Sequence, residues 1–155
     1  MTLIIALIGC IGTIATWIVY FLDKRTNISF EPIDYLQTRK GILIYGTFEN
    51  NSNSSISITD LSLTVDGNKL HVIRIPTVVL TREINRNSQL ISREETHNLP
   101  FPMNLSPCSG QSGYFLFPIE PQNQVEIGST LNFEICTNRK KKISISVPRP
   151  QSLHQ

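Results

Sequence analysis

The sequence predicts an all-β fold, an immunoglobulin-like antiparallel β-sandwich preceded by a single N-terminal transmembrane α-helix. The first 22 residues hold one long apolar block without charge. Every later apolar segment is short, alternating or β-branched, and ends in Gly, Pro, Asn, Asp or Ser, which is typical of strands joined by turns. Seven or eight such segments at near-regular spacing favour a sandwich over a barrel. The immunoglobulin-like class is predicted from architecture alone, because the only Trp lies in the apolar block.

From Leu3 to Leu22 the chain reads LIIALIGCIGTIATWIVYFL and contains no charged side chain. Twenty helical residues span about 30 Å, the thickness of the hydrocarbon core of a bilayer. Trp17 and Tyr20 lie near the end of the run, where amphipathic rings favour the headgroup level. We therefore expect residues 1–25 to form a membrane-spanning helix with a basic flank.

Two other interpretations of the apolar block are weaker. A cleaved signal peptide would need a basic segment before Leu3 and a shorter apolar run. The tetrapeptide Leu7-Ile8-Gly9-Cys10 resembles a bacterial lipobox, in which the Cys would be lipidated. However, the apolar run continues twelve residues beyond Cys10, to Leu22, which favours a spanning helix.

The orientation of the helix follows from the basic residues on its two sides. None precedes it, whereas Lys24, Arg25, Arg39 and Lys40 follow it. The positive-inside rule therefore predicts a single-pass protein of the cell membrane whose β domain is cytoplasmic. The formal net charge of +2 is too small to predict a nucleic-acid partner.

The β domain is predicted over residues 26–148, followed by a flexible tail at residues 149–155. Asp66-Gly67-Asn68 is the strongest hairpin signal. The apolar alternation slips near Thr59 and Asp60, which indicates a β-bulge, and Gly46 interrupts a strand where a bulge or a close backbone approach is expected. Predicted strands include Ile28–Tyr35, Gly41–Glu49, Ile56–Val65, Leu70–Ile75, Tyr114–Phe117 and the closing hairpin of residues 131–135 and 143–147.

Two further segments of the β domain are predicted to be irregular. Residues Thr81 to Asn98 are polar and weakly patterned, which indicates a long loop, and long loops in compact domains are often functional. Ser109 to Gly113, which read SGQSG, are predicted to form a Gly/Ser turn before an aromatic strand.

The sequence predicts no catalytic residue, no cofactor site and no metal site. Gly110-Gln111-Ser112-Gly113 is one residue short of a nucleophile elbow and lacks the strand before it and the helix after it. The three His residues do not have the spacing that metal ligation favours. Cys108 and Cys136 are compatible with a disulfide outside the cytoplasm or with free thiols inside it.

The run Arg139, Lys140, Lys141 and Lys142 is the strongest charge feature of the chain. These four residues are candidate contacts to anionic lipid or to a partner. The alternative interpretation is a turn that Lys keeps soluble and protects from edge-to-edge pairing.

Three stretches of the sequence are similar to a known set of proteins: GTIATWIVYFLDKR, FENNSNSSISITDLSLTVDG and LPFPMNLSPCSGQSGYFLF. They resemble small bacterial membrane-anchored β-sandwich proteins of unknown function, mostly Gram-positive and sometimes phage-associated. The resemblance implies the anchor and the sandwich, and it implies no activity and no catalytic residue.

The predicted function is therefore that of a non-enzymatic, single-pass membrane protein whose β-sandwich binds a protein partner at the membrane surface. The alternative is an accessory protein of the membrane surface or envelope that binds anionic lipid through the basic hairpin of residues 139–142. Gly9 and Thr13 are spaced by four along the helix, as are Gly12 and Thr16, and Ala6 lies one turn before Gly9. This stripe of small residues predicts weak self-association through the helix.

Overall fold

A computed structural model of the chain describes residues 12–20, 26–38, 41–86, 89–119 and 127–150. Residues 12–20 are helical, and ten strands follow in the described residues. The strands are β1 (Ile28–Thr38), β2 (Gly41–Asn50), β3 (Ile56–Val65), β4 (Asn68–His71), β5 (Val78–Arg86), β6 (Gln89–His97), β7 (Met103–Leu105), β8 (Ser109–Pro118), β9 (Thr130–Thr137) and β10 (Lys142–Pro148). The all-β prediction is confirmed.

The strands form two main antiparallel sheets and one separate hairpin. The three-stranded sheet has the order β1-β2-β8. The five-stranded sheet has the order β10-β9-β3-β4, with β7 also paired to β3. Among the described strands, β5 and β6 pair only with each other.

The two main sheets pack face to face around one apolar core. Alternate residues of β2, such as Ile42 and Ile44, point into this core, as the period-2 pattern predicts. The ring of Phe30 on β1 meets the ring of Phe133 on β9 with centroids 4.9 Å apart, and this contact joins the two sheets. The arrangement is a β-sandwich, as the sequence predicts.

Three local features of the sandwich are confirmed. Asp66 and Gly67 have φ angles of 48° and 78°, as a two-residue type I′ hairpin turn requires. The pairing of β3 with β9 shifts register between Ile58 and Asp60, where the sequence predicts a bulge. A Cβ at Gly46 would lie 2.8 Å from the backbone oxygen of Glu31, so the strand at this point needs glycine.

Two predictions about irregular segments are wrong. The expected long loop over Thr81 to Asn98 is most of the β5–β6 hairpin. The expected Gly/Ser turn at Ser109 to Gly113 lies inside β8, where Gly113 pairs with Gly46. Both segments lack an apolar alternation because neither presents a regular apolar face to the core, so their pairing leaves little trace in the sequence.

The predicted transmembrane segment is described only in part. Trp17 and Tyr20 lie on the helix of residues 12–20, are exposed, and have ring centroids 6.1 Å apart. Leu3 and Leu22 lie outside the described residues. Within the part of the chain that the structure describes, no helix has both the length and the apolar character that a membrane crossing requires.

The predicted tail begins with an ordered residue. Arg149 donates a hydrogen bond from Nη1 to the carbonyl oxygen of Ile127 at 2.9 Å, and its guanidinium lies 5.4 Å from the ring centroid of Tyr35. Residues 151–155 lie outside the described part of the chain.

Candidate functional site

The β5–β6 hairpin stands apart from the sandwich as a two-stranded ribbon. Its strands carry complementary charges at opposed positions, with Arg82 opposite Glu94 and Glu83 opposite Arg93. Arg93 also pairs with Glu95 along the same strand, Nη2 to Oε1, at 2.9 Å. Cross-strand pairs of opposite charge stabilise a ribbon that has little apolar surface to bury.

A buried asparagine lies at the base of the hairpin and helps to fasten it to the sandwich. The backbone nitrogen of Thr77 donates to Oδ1 of Asn98 at 2.6 Å, and Nδ2 of Asn98 donates to the carbonyl oxygen of Ile73 at 2.8 Å. Leu99 then donates from its backbone nitrogen to the carbonyl oxygen of Tyr114 on β8 at 2.9 Å. Asn98 is 2% exposed, so these bonds form away from solvent and fix where the hairpin leaves the sandwich.

The distal half of the hairpin exposes isoleucines. Ile84 is 43% exposed and Ile91 is 60% exposed. Ile91 lies at a β-bulge, because the register shifts between Ile84 and Asn85. Because β5 and β6 pair only with each other among the described strands, the outer edge of each carries backbone groups that no described strand pairs. Exposed apolar side chains beside open strand edges are a surface that a protein partner can bind.

A small cleft lies where the hairpin begins. Leu80 of β5 lines it together with Tyr45 and Tyr114, whose ring centroids are 4.9 Å apart. The cleft between them has a volume of about 30 Å³, roughly the space of one water molecule. We interpret it as a packing gap, because ligand pockets are about ten times larger.

The four predicted cations of the β9–β10 turn are divided among different partners. Arg139 donates from Nη2 to Oγ of Ser54 at 2.6 Å and to the carbonyl oxygen of Ser55 at 3.3 Å, which fastens the turn to the β2–β3 loop. Lys142 lies 3.3 Å from Oε1 of Glu134. Lys140 and Lys141 are exposed, and the described residues offer their side chains no hydrogen bond or ion pair. Ser54 lies 85 positions from Arg139 along the chain, and Glu134 lies on β9. The sequence around the run therefore does not show which of the four cations have partners.

Glu134 on the outer face of the five-stranded sheet joins two lysines. Nζ of Lys69 lies 2.7 Å from its Oε1, and Nζ of Lys142 lies 3.3 Å from the same atom. The hydrogen bond from Lys69, with the further bond from Lys142, lowers the pKa of Glu134. The same hydrogen bond raises the pKa of Lys69.

These pKa shifts predict the pH range in which the charged network stabilises the fold. The lowered pKa of Glu134 means that its contribution is present above the pKa of the unfolded chain and is lost as the pH falls through the lower, folded value. We expect Lys69→Met to raise the pKa of Glu134 in a carboxyl carbon NMR titration. Lys141→Met, which removes a nearby lysine that does not contact Glu134, should leave it unchanged. An equal pKa in the wild type and in Lys69→Met would contradict the prediction.

The described residues hold no group of three or more His, Cys, Asp or Glu side chains arranged to bind a metal ion. Nδ1 of His71 lies 2.8 Å from Oδ2 of Asp60, and Nη2 of Arg74 lies 3.5 Å from the other carboxylate oxygen. Ser112 shares a hydrogen bond with Oγ1 of Thr47 at 2.8 Å, where a nucleophilic serine would need a general base. Cys108 and Cys136 are free thiols.

No protein-family model matches this chain, and no curated protein is significantly similar to it. The resemblance to small bacterial membrane-anchored proteins therefore stays a prediction. The projecting hairpin and the basic turn, taken from the geometry alone, are the candidate interaction surfaces.

Proposed function

We propose that this chain is a non-enzymatic, single-pass protein of the cell membrane that presents an immunoglobulin-like sandwich to a protein partner. In this proposal residues 3–22 span the bilayer, the sandwich lies on the cytoplasmic side, and the β5–β6 hairpin contacts the partner. The single observation that carries the proposal is the hairpin itself, a ribbon that projects from the sandwich with exposed isoleucines and open edges.

The strand order supports the immunoglobulin-like class. In immunoglobulin-like sandwiches, strands A, B and E belong to one sheet, and strands G, F and C form the other, which C′ extends in variable-type domains. The order β1-β2-β8 corresponds to A-B-E, and the order β10-β9-β3-β4 corresponds to G-F-C-C′. The β5–β6 hairpin then falls in the connection between C′ and E, so it is an addition to the sandwich and not part of its core.

The hairpin has the physical properties of a recognition element. An isolated two-stranded ribbon is only marginally stable in water, so its edges and exposed apolar residues gain stability when another chain pairs with them. Fastening by Asn98 holds the base in one position, which lowers the entropy that binding would cost.

The proposal is tested by quantitative co-purification of partners with the full-length chain in mild detergent. We expect the double variant Ile84→Asp and Ile91→Asp to recover at least about tenfold less partner, because truncating a central apolar contact commonly costs more than 1 kcal/mol. Ile33→Asp is the matched control, since Ile33 is also an isoleucine, is 45% exposed, and lies on β1 in the three-stranded sheet and not on the hairpin. Equal recovery from the double variant and from the control would refute the hairpin as the contact surface.

A further inference from the structure

Three features lie together at one end of the sandwich. They are the start of the domain, the β2–β3 loop and the basic turn between β9 and β10. The backbone nitrogen of Asn51 donates to the carbonyl oxygen of Asn27 at 2.8 Å, so the β2–β3 loop lies beside the start of the domain. Asn138 donates from its backbone nitrogen to the carbonyl oxygen of Ser57, at the start of β3, at 2.9 Å. Arg139 donates to Ser54 in the β2–β3 loop. We call this the proximal end, because it is the end nearest in sequence to the N-terminal helix.

The proximal end must stay close to the N-terminal helix. Asn27 follows Tyr20 by seven positions along the chain. Even a fully extended chain of that length spans only about 25 Å. The basic turn, hydrogen-bonded to the loop that contacts Asn27, is therefore carried near whatever surface the helix occupies.

The proximal end is positively charged and lacks acidic residues in its loops. Residues 51–55, 106–108 and 138–141 contain no Asp or Glu. Lys140 and Lys141 are exposed there and make no side-chain ion pair within the described residues. The turn is closed by hydrogen bonds between Thr137 and Lys141 and from Lys140 to Thr137, which hold the two lysines at a fixed tip.

The position of these lysines argues against edge protection as their role. Lysines that prevent edge-to-edge pairing lie on the edge strand itself. Lys140 and Lys141 precede β10 and lie in the turn, and Lys142, which does begin that strand, is paired with Glu134.

We propose that Lys140 and Lys141 bind the anionic headgroup surface of the bilayer that holds the tether and so seat the sandwich on the membrane by its proximal end. This inference rests on the proposed membrane tether. The cytoplasmic leaflet is the anionic one, and each cation near it contributes about 1 kcal/mol of binding. Two cations therefore change the ratio of seated to unseated domain about 30-fold. In this arrangement the proximal end of the domain contacts lipid. The hairpin, whose base is hydrogen-bonded to Tyr114 in the middle of β8, stays free to bind a partner.

Cys108 provides a reporter for this contact. It is exposed, and its backbone nitrogen donates to the carbonyl oxygen of Ser52, so it lies at the proximal end. In the full-length chain with Cys10→Ser and Cys136→Ser, a fluorophore on Cys108 is quenched by a headgroup-attached nitroxide only when the proximal end touches the bilayer. The probes are phosphatidylcholine vesicles with and without roughly 30% phosphatidylserine.

We expect quenching in the phosphatidylserine vesicles, little in phosphatidylcholine, and reversal at about 0.5 M NaCl. Lys140→Gln with Lys141→Gln should lower the seated-to-unseated ratio about 30-fold, whereas Lys140→Arg with Lys141→Arg should retain it. Lys69→Gln with Arg74→Gln removes the same charge elsewhere and should also retain it. Quenching that is equal in both lipids, or unchanged in the Gln variant, would overturn the inference.

Flotation of the same samples separates this inference from the proposed tether. Flotation with phosphatidylcholine vesicles requires the tether and does not require the basic turn. If the chain floats with phosphatidylcholine vesicles but shows no lipid-dependent quenching, the proposed tether is supported and the binding of the basic turn to lipid is overturned. A chain that floats only with phosphatidylserine, and loses this in the Gln variant, refutes the tether and supports lipid binding by the turn. Flotation with neither overturns both.

Discussion

Replacing Phe133 by Ala is expected to lower the free energy of unfolding by about 3–5 kcal/mol. Phe133 is 2% exposed, and its ring lies 4.9 Å from that of Phe30 on the opposite sheet and 6.3 Å from that of Phe117. The substitution removes both ring contacts and leaves a cavity between two sheets whose backbones are held by hydrogen-bonded neighbours. A small domain has only about 5–15 kcal/mol of stability, so the loss is a large share of it.

The measurement is urea unfolding of the full-length chain in detergent, followed by circular dichroism in the β region. Asn132→Ala is the control, because Asn132 is the exposed neighbour of Phe133 on the same strand. We expect the control to change the free energy of unfolding by about 1 kcal/mol or less, because it loses one exposed hydrogen bond from Ser146. A Phe133→Ala midpoint equal to that of the control would mean that the contact between the sheets is not the main source of stability.

The second large effect is expected at Asn98, which fastens the hairpin. Asn98→Ala removes the acceptor of the Thr77 amide and the donor to the carbonyl oxygen of Ile73, in a site that is 2% exposed. Buried polar groups left without partners cost about 1–3 kcal/mol each, so we expect a loss of about 2–4 kcal/mol. The loss should be concentrated at the base of the hairpin, where these bonds lie.

Hydrogen exchange distinguishes this local effect from a general one. We expect the Thr77 amide and the β5–β6 amides to exchange much faster in Asn98→Ala, while the amides between β3 and β9 change only as far as global stability falls. Asn68→Ala, an exposed asparagine at the start of β4, is the control and should leave the hairpin amides protected. Unchanged protection of the hairpin in Asn98→Ala would show that another contact fastens it.

Local chemistry explains why much of the sandwich can be predicted from the sequence. Asp66-Gly67 turns because both residues accept positive φ, whatever surrounds them. The slip near Asp60 predicts a bulge because a one-residue shift would otherwise turn every later side chain to the wrong face. A glycine in the middle of a strand lowers the stability of that strand, so Gly46 predicts a place where another part of the chain comes too close for a side chain.

The hairpin shows where this local signal ends. Its apolar residues are few and do not alternate regularly along either strand, so no period-2 apolar pattern marks them. Their pairing depends on cross-strand charges, such as Arg82 opposite Glu94, and on Asn98, whose bonds reach back to Ile73 and Thr77. A residue that acts through partners more than twenty positions away has the same local sequence signature as a loop asparagine.

Residue patterns alone predict the all-β class, the two-face alternation, the hairpin at Asp66-Gly67-Asn68 and the basic run at residues 139–142. Which cations of that run are paired, and which end of the sandwich they occupy, depends on how the strands pack. Arg139 is fastened to Ser54 and Lys142 to Glu134, which leaves Lys140 and Lys141 at the tip, beside the start of the domain. Apolar alternation and turn formation depend on residues that are near neighbours in the sequence. The pairing of the cations and their position at one end of the sandwich depend on contacts that form only after distant strands have come together.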